Sequence, residues 1–78
     1  MSLMKRYAED KEELGMRAAM IAWNPDPEER KALRIELWSD CAKAAEIYHS
    51  PVEVAMAFVH HVAECYSAAF MQQKGETA

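Results

Sequence analysis

At 78 residues and 8.9 kDa the chain has room for one domain, and a core of that size seldom supplies more than about 3–5 kcal/mol without a staple or a partner. Thirteen acidic and nine basic residues give a net charge of −4, which opposes a phosphate backbone and argues against direct nucleic-acid binding. The longest charge-free run, 54–63, holds two histidines and ends at Glu64. It falls well short of the roughly 20 apolar residues a membrane span requires, so no membrane association is expected.

Two helix-start signatures, Asp26-Pro27-Glu28-Glu29 and Ser50-Pro51-Val52-Glu53, cut the chain into three helix-sized segments. Asp and Ser are N-cap residue types, a proline at the first helical position forfeits no hydrogen bond, and Glu29 and Glu53 stand where a capping box is completed. The expected fold is all-α: one helical domain over 1–78, bundle-like, with three helices at about 4–23, 27–48 and 51–73 and a fraying tail over 74–78. Met1-Ser2-Leu3 ahead of a second methionine, Met4, reads as a vector-derived leader.

In the first helix Tyr7, Leu14, Ala18 and Ile21 share one stripe, with Lys11 in the remaining slot, and that stripe is the core face. Lys5 and Glu9, Arg6 and Asp10, and Glu13 and Arg17 are i,i+4 pairs of opposite charge and mark the wet face. Gly15 costs the helix up to about 1 kcal/mol relative to alanine and signals the close approach of another backbone. Met16, Met20 and Trp23 lie on the side opposite the core stripe, so this helix turns apolar all round before Asn24-Pro25 stops it.

The second helix carries Leu33, Leu37, Cys41, Ala44 and Tyr48 on one arc, with Trp38 and Ala45 beside it and Glu36, Ser39, Asp40, Lys43 and Glu46 opposite. Only His49 and Ser50 separate it from the third helix, a connection so short that the two should pack as an antiparallel hairpin. The third helix has a main stripe of Ala55, Phe58, Val59, Val62, Tyr66 and Ala69, widened by Val52, Val54, Cys65 and Phe70. Only Glu53, His60, Glu64 and Ser67 form a polar strip. So broad an arc predicts a partner beyond two neighbouring helices, and homodimerisation is expected through Phe58, Val62, Cys65 and Ala69, whose small members permit close helix approach.

The chemistry-bearing residues are few. Cys41 and Cys65 sit inside apolar helical stretches and read as reduced, buried thiols of a cytoplasmic protein rather than a disulfide. His61 and Cys65, four apart on one face, could hold two metal ligands, but a site needs a third, and Cys41 and His49 lie on another segment. A core role for Cys65, with His60 and Glu64 pairing at the surface, is the expectation; no metal or cofactor is assigned. Glu46-Ile47-Tyr48-His49 matches the Glu-x-x-His half-motif of di-iron bundles but points outward. Arg30, Lys31 and Arg34 form the one basic cluster, set in the first turns of a helix where the macrodipole disfavours cations. Arg30 and Arg34 are therefore expected to meet acidic residues, either of the first helix or of a protein partner. The third helix has no lysine or arginine before Lys74, which removes a helix-turn-helix reading.

These features point to a non-enzymatic helical interaction protein that forms a homodimer and binds or modulates another protein, as small acidic proteins of phages and mobile elements do when they act as inhibitors or adaptors. Its candidate interface residues are Phe58, Val62, Cys65 and Ala69, then Met16, Met20 and Trp23, and the arginines Arg30 and Arg34. The alternative is a metal- or thiol-dependent activity at a dimer interface, built from His61 and Cys65.

Overall fold

The computed structural model describes residues 3–77, with side chains as far as residue 75. Three helices follow one another, α1 (Leu3–Ala22), α2 (Pro27–Ala45) and α3 (Pro51–Thr77), and no strand occurs among the described residues. Each helix packs on both of the others in a body of 44 × 21 × 18 Å, whose length follows from the 27 residues of α3 at about 1.5 Å each. No described helix is long and apolar enough to cross a membrane. Met1 and Ser2, the first two residues of the supposed leader, lie outside the described residues, and Leu3 opens α1.

Helices α2 and α3 begin at Pro27 and Pro51, where the helix-start signatures placed them, and the differences lie in the helix ends and in how the caps are made. Asp26 is the N-cap of α2, its carboxylate accepting the Glu28 N–H at 3.0 Å. The return half of the box is taken by Asn24, whose side-chain oxygen accepts the Asp26 N–H at 2.9 Å. At α3 the bond observed is a backbone one, the Ser50 carbonyl accepting the Val54 N–H at 3.0 Å. Helix α2 ends at Ala45 rather than 48, passing into tight turns in which the N–H groups of Glu46 and Tyr48 donate to the carbonyls of Lys43 and Ala45. The expected tail is helical through Thr77, and residue 78 lies outside the described residues. Asp26→Ala should therefore cost about 1 kcal/mol and Ser50→Ala a fraction of that; equal losses in paired thermal melts would restore a side-chain cap to α3.

Leu14, Ala18 and Ile21 of α1, Leu37, Cys41 and Ala45 of α2, and Phe58 and Val62 of α3 form the buried cluster. One end of it is closed by an aromatic triad drawn from three segments. Tyr7 stacks on Phe58 at 5.3 Å between ring centres, and Tyr48 meets both rings edge-on at 5.9 and 6.2 Å. The Tyr48 hydroxyl donates to Asp10 Oδ2 at 3.1 Å. Burial first, then this bond to a carboxylate, holds the Tyr48 phenol above its ordinary pKa. Arg6 pairs with Asp10 at 3.7 Å as predicted, but Arg17 reaches across to Asp40 of α2 at 2.8 Å rather than along its own helix to Glu13.

Most of the broad apolar arc of α3 is divided between its two neighbours, while Val52 at its start is left exposed. Phe58 is 0% exposed, Val62 3%, and Ala69 is buried with them, so these three residues, expected on a seam with a second chain, are enclosed within this one. The width of the arc has two local causes. On one side α1 closes in at Gly15, where an added Cβ would lie 2.7 Å from His61 Nε2 and 3.0 Å from Cys65 Sγ. On the other, α2 lays its arginines over Tyr66 and Phe70.

Candidate protein-interaction surface

The outer face of α1 follows from helical spacing alone. With the core stripe of Leu14, Ala18 and Ile21 turned inward, residues 9, 12, 13, 16, 20 and 23 fall on the opposite side. Met16 is 61% exposed, Met20 72% and Trp23 43%, as the sequence suggested. Glu9, Glu12 and Glu13 continue the stripe toward the start of the helix, and they share with Met16 and Met20 an open groove of about 370 Å³. The face is thus acidic in its first half and rich in sulfur and indole in its second. Unbranched, polarizable methionines suit such a surface to adaptable contacts.

The second surface is the seam between the start of α2 and the far half of α3. Tyr66 and Phe70 stack at 6.0 Å, one turn apart. The Arg34 guanidinium lies 4.9 Å above the Tyr66 ring and that of Arg30 5.6 Å from Phe70, whose ring also receives Lys74 at 4.9 Å. Arg30 in addition donates to the Asn24 carbonyl at 2.6 Å. The expected pairing of Arg30 and Arg34 with the acids of α1 is not formed: neither makes an ion pair among the described residues. Aromatic faces take the place of carboxylates and offset the unfavourable end of the helix dipole. Arg34 Nε is buried without a hydrogen-bond acceptor. Beside it, Trp38, expected next to the core arc, stands 48% exposed at the rim of a cavity of about 230 Å³.

His61 and Cys65 meet in a third place, the open groove of about 430 Å³ between α1 and α3, with Gly15 as its floor and Glu12 and Met16 at its edge. The Cys65 thiol lies 3.5 Å from His61 Nε2 and 4.0 Å from Nδ1. Cys65 packs against the core cluster but is only half-buried, so the expectation of full enclosure is corrected: its thiol lies close under Gly15 of α1 on one side and faces the open groove on the other. Cys41 is the buried thiol, its pKa pushed up by burial and only partly drawn back by Arg17. No group of three His, Cys, Asp or Glu side chains that could hold a metal occurs among the described residues. His60 does pair with Glu64, Nε2 to Oε1 at 2.9 Å, and Glu46 and His49 are exposed. One thiol per chain should thus react with a maleimide in the native state and the other only on unfolding. Mass mapping should place the fast adduct on Cys65, and a fast adduct on Cys41 would contradict the packing of α2.

The sequence offers the methionine stripe, both arginines and the His61/Cys65 pair as candidates. The aromatic acceptors of the arginines were missed, although Arg30 and Arg34 in one helix and Tyr66 and Phe70 in the next share the same four-residue spacing. In comparison with known proteins, the chain has no significant match to a family model, a curated protein or a solved structure.

Proposed function

We propose that this chain is a non-enzymatic helical interaction protein that self-associates and binds or modulates another protein, in the manner of small regulators and inhibitors of phages and mobile elements. The observation that carries the reading is the exposed run of Met16, Met20 and Trp23 along the outer face of α1. Side chains of this size left in water on so small a chain are the mark of a contact surface. Contacts between α2 and α3 step in opposite directions, Arg30 on Phe70 and Arg34 on Tyr66, as an antiparallel hairpin backing α1 would give. The expected homodimer is retained with its interface moved from the α3 stripe to α1, and the compartment proposed for it is the cytoplasm.

Sedimentation equilibrium tests the reading. The wild type should be heavier than one chain at tens of micromolar, and Met20→Glu, placing a carboxylate in an already solvated position, should shift the population to single chains with unchanged helical circular dichroism. A wild type that is monomeric throughout and a Met20→Glu variant indistinguishable from it would remove the surface from consideration. The second reading, a thiol- or metal-dependent activity at an interface, is favoured by the 3.5 Å approach of Cys65 and His61 in an open groove. Stoichiometric zinc or iron in protein purified without a histidine tag would support that reading and displace the first.

A further inference from the structure

We propose that the seam of Arg30 and Arg34 is the docking strip for the acidic outer face of α1 on a second copy of this chain, Glu9 and Glu13 meeting the two arginines and Met16 meeting Trp38. The inference rests on the self-association reading above and says which surfaces meet. Within one copy the two sets of charges are kept apart. Arg30 and Arg34 lie against aromatic rings and make no ion pair among the described residues, while Glu9 and Glu13 are exposed and likewise make none.

The two strips match in spacing. Arg30 and Arg34 are four residues apart on one helix, Glu9 and Glu13 four apart on another, so each pair projects its charges with an axial separation of about 6 Å. One turn further along α2 stands Trp38, 48% exposed, and just under one turn beyond Glu13 stands Met16. A thioether against an indole ring is a favourable contact. Charge pair, charge pair and apolar pair thus fall in the same order on both helices. The arginines are also prepared for carboxylates. Arg34 lies over Tyr66, a pose that holds the long side chain against the ring before any partner arrives, and guanidinium groups bind carboxylates in a two-pronged geometry. On a chain of net charge −4, these arginines belong to the one basic cluster, and they are the cations that the acidic face of α1 on a second copy can meet.

Charge-swap variants test the proposal in sedimentation velocity. Arg30→Glu with Arg34→Glu, and separately Glu9→Lys with Glu13→Lys, should each weaken self-association at least tenfold, and an equimolar mixture of the two should recover a two-chain species. Circular dichroism monitors folding, and Arg30→Gln with Arg34→Gln, which keeps side chains of polar character over the rings, should weaken association in the same direction. The wild type should dissociate more readily as salt is raised from about 0.1 to about 1 M, because half-exposed pairs are screened over that range. A wild type that associates but ignores both salt and the swaps overturns the docking strip and leaves the self-association reading standing. A wild type that never associates overturns both. Tight binding of single-stranded DNA by the monomer, lost in the glutamine variant, would reassign the strip to nucleic acid and overturn the proposal.

Discussion

Phe58→Ala should leave the chain largely unfolded at 25 °C. Phe58 is fully enclosed and is the largest side chain so placed. Its ring is also the one that both Tyr7 and Tyr48 touch, so it ties α1, α3 and the connection after α2 into one end of the body. Truncating a buried phenylalanine costs about 3–5 kcal/mol, which is close to the entire stability about 3–5 kcal/mol that a core of this size provides. Phe58→Leu, which keeps most of the volume, should fold with a loss nearer 1.5 kcal/mol. Urea denaturation followed by circular dichroism is the measurement. A cooperative Phe58→Ala transition within about 1 kcal/mol of wild type would mean that Tyr7 swings into the vacated space, and the triad would then be ornament to the core rather than its keystone.

The helical partition was legible because it is written in local chemistry. Asp26-Pro27 fixes the start of α2 by capping and by the geometry of proline, and nothing distant can change that. Core positions such as Leu14, Ala18, Leu37 and Cys41 were legible from periodicity for the same reason. The errors come from interactions between helices. Arg17 pairs with Asp40 of α2, a partly enclosed contact between helices, a choice that i,i+4 spacing cannot anticipate. Phe58, Val62 and Ala69 were assigned to an outside partner because the arc of α3 was too wide for two smooth cylinders. The helices are not smooth: Gly15 lets α1 sink against His61 and Cys65, and Arg30 and Arg34 act as apolar cover through their stems and flat guanidinium faces. A sequence reading that counts arginine only as a charge overestimates the unburied surface of the helix beneath it.

The same feature sets the outcome of burying a charge at the centre of α3. Val62 is 3% exposed and shares with Ala18, Leu37, Arg34 and Tyr66 the walls of the 230 Å³ cavity. An uncompensated ionised group placed there faces a desolvation penalty of several kcal/mol, enough to unfold a chain of this size, and Val62→Lys should show no cooperative melt. Val62→Glu differs in one respect. Its carboxylate enters a cavity where Arg34 presents a cation that has no ion pair, and an Nε that has no acceptor, among the described residues. It should therefore be destabilised yet retain a transition, because a paired buried charge is far less costly than a lone one. Adding Arg34→Met to Val62→Glu should abolish that transition, whereas Arg34→Met alone should cost little, since methionine can still cover Tyr66. Melting curves of the four variants decide the matter. Val62→Lys melting above Val62→Glu, or an Arg34→Met change that leaves Val62→Glu unaffected, would show that the arginine does not reach the wall of the cavity on which Val62 lies.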